Sequence, residues 1–295
     1  MALPVFKSSA NNTPTASSLT ASVVCPSAAL APVAGELLLL VSAAATGSGT
    51  TITFPAGFTE LTPVPTSAGN SSHVAWKISD GTEGGTTITI TASAASKRPL
   101  ILAIYSGVSA TPIAAQSSAV QTAASLNHPS PALTTAAVDQ LEVAIGADAT
   151  GAGATQTTTW TFPTLTKRAT SITSVAAGAS SLSIADSAAT PNASGANLGA
   201  RADTADVVAI GTSWTLLLAP SVAALTASLA VSPASGTVPF TVTATATATG
   251  GTGTVKNYAF VWGDGATTVA QVAASATHQY VSSGTYTVTA TVTNT

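Results

Sequence analysis

From Phe240 to Thr249 the chain alternates without a break: Phe240, Val242, Ala244, Ala246 and Ala248 against Thr241, Thr243, Thr245, Thr247 and Thr249. A period of two sends successive side chains to opposite faces of an extended strand, whereas a helix would scatter both sets around its axis. Tyr286, Val288, Ala290 and Val292 repeat the device against Thr287, Thr289, Thr291 and Thr293. Threonine suits the outer face because it is β-branched, which favours strands, and keeps a hydroxyl for water. Tyr258, Phe260 and Trp262 form a third alternating set that runs into Gly263-Asp264-Gly265, a turn sequence. Several short strands bounded by turns predict a small β-sandwich over residues 225–295.

At 295 residues the chain has room for about two domains. Charged residues are 6% of it and hydrophobic residues 45%, while Ala, Thr and Ser together make up roughly half, so hydroxyls and small side chains take the place that charge usually fills. The formal net charge is −3 from eight basic and eleven acidic residues. The basic doublets Lys97-Arg98 and Lys167-Arg168 are too short to neutralise a row of phosphates, which argues against a nucleic-acid partner. The longest apolar stretch, Leu37 to Ala45, is interrupted by Ser42 and falls far short of the roughly 20 residues that cross a bilayer. The N-terminus shows no basic n-region followed by an apolar h-region, so no signal peptide is expected. The single cysteine, Cys25, reads as a small buried apolar residue.

Residues 1–220 read as a larger all-β unit. Strands are expected at Glu36–Ala44, Thr50–Phe54, Phe58–Val64, Ser72–Ile78, Thr86–Ala92, Leu100–Gly107, Gln140–Ala147, Thr158–Phe162, Leu182–Asp186 and Val207–Leu218, with helix signals nearly absent. Glu36-Leu-Leu-Leu-Leu-Val and Thr51-Ile-Thr-Phe-Pro55 echo Leu141-Glu-Val-Ala-Ile and Thr159-Trp-Thr-Phe-Pro163. The echo suggests related strand pairs in one sandwich; tandem duplication or biased composition would produce it too. Ala219 to Ala224 reads as the linker.

Val231-Ser-Pro-Ala-Ser-Gly-Thr-Val-Pro-Phe240, Tyr258-Ala-Phe-Val-Trp-Gly-Asp-Gly265, His278-Gln-Tyr280 and Gly284-Thr-Tyr286-Thr-Val resemble the PKD domain. The resemblance covers about 225–295. It implies an immunoglobulin-like sandwich used at surfaces for spacing, contact or weak carbohydrate binding. Gly35-Glu-Leu-Leu-Leu-Leu, Phe54-Pro-Ala-Gly-Phe-Thr-Glu-Leu, Ala75-Trp-Lys-Ile and Leu102-Ala-Ile-Tyr-Ser-Gly-Val look like a β-sandwich domain of tailed-bacteriophage virion proteins. That resemblance covers about 1–220 and implies a jelly-roll-like fold in a capsid-surface or tail protein, without catalytic residues.

The residues offer little for catalysis. His73, His128 and His278 lie far apart in sequence; His278 reads as packing beside Tyr280, and the other two as surface or rim residues. No Gly-x-Ser-x-Gly elbow activates a serine. A glycosidase needs two carboxylates across a cleft, but Asp139 with Glu142, Asp203 with Asp206 and Asp80 with Glu83 fall at strand ends or in turns, where carboxylates cap backbone amides. Asp264 reads as fixing the Gly263–Gly265 turn, with a calcium ion as the alternative. Of the four tryptophans, Trp76, Trp214 and Trp262 sit in apolar patterns that favour the core. Trp160, among threonines, is the candidate for stacking on a sugar. Phe240, Tyr258, Phe260, Trp262, Tyr280 and Tyr286 are the expected core of the C-terminal domain.

These readings converge on an all-β protein, a jelly-roll-like sandwich followed by a small immunoglobulin-like one. The expected function is a non-enzymatic structural component of a phage virion surface with the C-terminal domain presented outward. The alternative is a receptor-binding tail protein or a secreted adhesin that contacts host-surface glycan. No cofactor or metal is expected. The expected partners are further copies of the chain, a trimer by fold-level analogy, and other virion proteins.

Overall fold

The computed structural model describes residues 2–45, 50–67, 69–150, 159–173, 179–188, 192–222, 225–251 and 256–294. The described residues form strands throughout, with one 3-10 turn at Ala28–Leu30. They separate into two compact units, 2–221 and 222–295.

The larger unit consists of two halves built to one plan. The first contains β1 (Val5–Asn11), β2 (Ser18–Val24), β3 (Leu37–Ala44), β4 (Ile52–Thr53), β5 (Thr59–Glu60), β6 (Ser71–Ile78), β7 (Thr87–Ser96) and β8 (Leu100–Ser106). They make a five-stranded sheet in the order β1-β8-β3-β6-β5 and a three-stranded sheet in the order β2-β7-β4. The second half contains β9 (Val108–Val120), β10 (Ser125–Asn127), β11 (Leu133–Thr134), β12 (Leu141–Ala149), β13 (Trp160–Thr161), β14 (Thr166–Ile172), β15 (Ser180–Asp186), β16 (Asn197–Leu198) and β17 (Thr204–Pro220). Its large sheet runs β9-β17-β12-β15-β14, and the first part of β17 also pairs with β10 and β13. Strand for strand the two orders coincide, with β17 doing alone what β7 and β8 do in succession.

Registers agree as well. Val41 and Ser42 face Ile101 and Leu100 as Ala147 and Asp148 face Thr212 and Gly211. Ser79 N–H donates to the Glu36 carbonyl, and Ser187 N–H donates to that of Glu142. The sequence echo therefore lies on equivalent strands of two repeated sandwiches.

Burial explains the apolar run at 37–44. One face of β3 (Leu37, Leu39, Val41) packs with Ile101 and Tyr105 against Val143, Ile145, Ile184, Trp214 and Leu216 of the second half. Its other face (Leu38, Leu40) packs with Leu102 against Val23, Ile88 and Ile90 of the three-stranded sheet. Every residue of β3, β12 and β15 is buried, and β3, with apolar core on both faces, lacks the alternation that a half-exposed strand shows.

The smaller unit contains β18 (Thr226–Ser232), β19 (Phe240–Thr249), β20 (Lys256–Val261), β21 (Thr267–Gln271), β22 (Ser275–Tyr280) and β23 (Thr289–Asn294). Two three-stranded sheets, β18-β19-β22 and β21-β20-β23, enclose a core of Val242, Ala244, Ala246, Tyr258, Phe260, Trp262 and Tyr280. The threonines of β19 face outward. The strand expected from Tyr286 is ladder-paired only from Thr289 onward. Ala219 and Pro220, expected in the linker, are the last residues of β17, where Pro220 pairs with Val108.

Candidate functional site

The Gly263-Asp264-Gly265 turn joins β20 to β21 and organises the polar part of the smaller unit. Gly263 has φ +84°, and a Cβ there would lie 2.7 Å from the Thr287 carbonyl oxygen, so glycine is required both for the left-handed backbone and for the close approach. Asp264 Oδ1 accepts the Ala266 N–H at 3.0 Å, and its Oδ2 lies 2.6 Å from His278 Nε2. The Ala266 amide, and then His278, hold the Asp264 carboxyl below the usual carboxylate range. The His278 ring stacks on Trp262 with centroids 4.9 Å apart and meets the edge of Tyr280 at 4.7 Å. Tyr280 donates its hydroxyl to the Trp262 carbonyl at 2.7 Å and stacks face to face on Tyr286 at 4.3 Å. Trp262 Nε1 donates to Thr268 Oγ1 at 3.0 Å.

Both Asp264 oxygens are thus engaged by protein donors, and among the described residues no three His, Cys, Asp or Glu side chains gather as a metal would need. The geometry favours a turn clamp over a calcium ligand. Phe240, Tyr258, Phe260, Trp262, Tyr280 and Tyr286 all belong to one packed cluster. Beside it a cleft of about 630 Å³ is lined by the segments 233–238 and 282–286 together with Val231, Phe240, Val242 and Val288.

In the larger unit, ionisable side chains are used largely on each other. Lys7 pairs with Glu36, Arg168 with Asp186, and Lys77 with Glu83. Asp80, expected with Glu83, accepts from Thr82 through both its backbone N–H and its hydroxyl. Glu142 and Asp203, assigned to different carboxylate pairs from sequence, are brought together by Arg201, which bonds both. Ser130 also donates to Asp203. Burial raises the Asp203 pKa against these bonds. Arg201, Glu142 and Asp203 have side chains only 10%, 8% and 0% exposed, so one guanidinium pairs both carboxylates in the interior.

Three expectations are corrected. His73 and His128 are interior, 3% and 0% exposed. His73 Nδ1 sits 2.7 Å from Glu60 Oε1. The His128 ring lies where a Gly211 side chain would otherwise stand, 5.1 Å from the Trp160 ring, and desolvation pushes its pKa down to about 4. Trp160, the candidate sugar platform, is 2% exposed. Its six-membered ring covers Gly146, and its Nε1 donates to Ser181 Oγ at 2.8 Å, so neither the ring face nor the N–H is offered to a ligand. Its threonine neighbours gave the polar impression; the missing side chain at Gly146 makes the space.

Burial of the Lys97-Arg98 doublet was not legible in the sequence. Arg98 is 1% exposed, donates to the Ala94 carbonyl, and is lowered by desolvation to a pKa of about 10. Cys25 is buried as expected, its thiol pushed up to about 11, first by burial and then by Glu83.

Residues 219–295 match the PKD domain family. No curated protein and no solved structure matches the chain. The smaller unit is therefore a PKD domain with an immunoglobulin-like arrangement of two sheets, attached to an all-β unit of repeated design.

Proposed function

We propose that this chain is a non-catalytic structural protein of a tailed-phage virion surface, in which the repeated β-unit attaches to the particle and the PKD domain is displayed. The supporting observation is the way the ionisable residues are used. In the larger unit Glu36, Glu83, Glu142, Asp186 and Asp203 are each held in an ion pair, and in the PKD domain Asp264 closes a turn. These are structural uses, and they sit beneath a surface of threonine, serine and alanine that carries little charge. Contacts made by such a surface are short-range and hydrogen-bonded, insensitive to salt, and suited to packing many copies side by side.

The test is a copy count by quantitative mass spectrometry of purified particles. A structural decoration is expected in many copies per particle. Absence from particles overturns the proposal, and a handful of copies confined to the tail tip favours receptor binding instead.

A further inference from the structure

The PKD domain has an open side. Among the described residues β23 pairs as a strand only with β20, which makes it an edge strand of its sheet. The apolar row of this segment, Tyr286, Val288, Ala290 and Val292, packs on the core yet stays half-exposed, while Tyr258 and Phe260 on β20 and Trp262 just after it are buried. The cleft lies at the same margin, with Tyr286 and Val288 on its wall. An edge of this kind is usually blunted by lysine, proline or an inward charge. Here residues 281–295 contain no charged residue and no proline.

The order of residues along the edge says what fits it. About Thr289 the segment reads the same in both directions by type: Val288 against Ala290, Thr287 against Thr291, and Tyr286 against Val292. An antiparallel pair of two such segments, related by a two-fold axis at Thr289, sets threonine opposite threonine and apolar opposite apolar. Both pairings are favourable cross-strand neighbours, and the absence of charge removes like-charge repulsion between copies. A two-fold perpendicular to the sheet also keeps both apolar rows on one face, where each covers the half-exposed row of the other.

We infer that two copies of this chain pair through residues 286–292, joining their β21-β20-β23 sheets into one continuous six-stranded sheet. The interface is isologous and closes at two copies, so assemblies through it are even-numbered, unlike the trimer that analogy suggested. The inference goes beyond the virion reading and does not depend on it.

The experiment uses the full chain and measures mass by light scattering and sedimentation over a concentration series. Thr289 is exposed, so Thr289→Lys and Thr289→Glu each place like charges face to face at the two-fold without touching the core. Wild type is expected at an even multiple of the monomer mass, each variant at half that mass, and an equimolar mixture of the two variants back at the wild-type mass. Recovery on mixing also shows that both variants are folded, because a misfolded chain is not rescued by an opposite charge. A wild type that stays monomeric, a Thr289→Lys variant of unchanged mass, or a mixture of folded variants that fails to reassociate overturns the inference. None of these outcomes bears on whether particles carry the protein, which the copy count answers separately.

Discussion

His128 makes the stability of the larger unit depend on pH in a defined direction. The ring is fully buried, with Nδ1 3.0 Å from Gln121 Oε1. Protonating it would bury a charge, and its pKa is accordingly down at about 4 from the ordinary 6.5. Above pH 6.5 the ring is neutral in both folded and unfolded chains and contributes no difference. As pH falls below 6.5 the unfolded chain takes up a proton that the folded chain refuses, and stability is lost progressively until about pH 4. The linkage relation gives a loss of about 2 kcal/mol at pH 5 and about 3 kcal/mol at pH 4. The assay is urea unfolding of wild type and His128→Gln at pH 7 and pH 5, followed by tryptophan fluorescence, since Trp160 lies beside the ring. Whatever the variant costs at pH 7, its disadvantage should shrink by about 2 kcal/mol at pH 5. A difference between the two proteins that stays constant between these pH values would refute the argument, because the other histidines are common to both.

Three further outcomes follow from packing. Trp262→Ala removes a side chain 1% exposed in the PKD core and should cost about 3 to 5 kcal/mol, enough to unfold a domain of this size; the PKD transition should vanish from a calorimetric scan while that of the larger unit stays. Gly146→Ala would set a Cβ 2.3 Å from the Trp160 ring and should lower the melting point of the larger unit by the equivalent of about 1 to 3 kcal/mol. Deleting residues 222–295 should leave the larger unit folded with an unchanged melting point, since the chain divides into compact units at that boundary; aggregation of the truncated chain would contradict this.

What the sequence disclosed depended on how many sides of a strand were constrained. β19 alternates because one face is core and the other is solvent, and β3 is a plain apolar run because both its faces are core. The long strands left unidentified in sequence, β1, β2, β9, β14 and β18, are all edge strands of their sheets. An edge strand has neighbours on one side only, and sequences such as Val5-Phe-Lys-Ser-Ser-Ala-Asn11 and Thr166-Lys-Arg-Ala-Thr-Ser-Ile172 carry no sustained period. The PKD turn and its aromatic set were legible because they are local and rich in aromatics. The buried polar groups were not. Ser180, Ser181 and Ser183 are fully buried, and Ser181 bonds both Trp160 and Asp148. A hydroxyl that satisfies its hydrogen bonds inside a protein looks in sequence like one that faces water.

The repeated halves show which property of the fold was kept. At matching places the Cys25 N–H donates to the Thr86 carbonyl and the His128 N–H to the Asp203 carbonyl, each at 2.8 Å. Asn12 N–H donates to the Leu100 carbonyl and Gln121 N–H to that of Gly211. Of these four pairs only Asn12 and Gln121 share a side-chain chemistry, the carboxamide. Backbone register is kept at these places even where side chains differ, because a slip of one residue would turn every side chain to the wrong face, whereas interior side chains change together when the volume allows. Gly211 illustrates the second point. It stands where the first half has Leu100, and the space that a leucine would fill there is taken by the His128 ring, whose own counterpart is the much smaller Cys25. Volume lost at one strand has been recovered at its neighbour, so the pH-sensitive group of the second half is the product of a packing exchange.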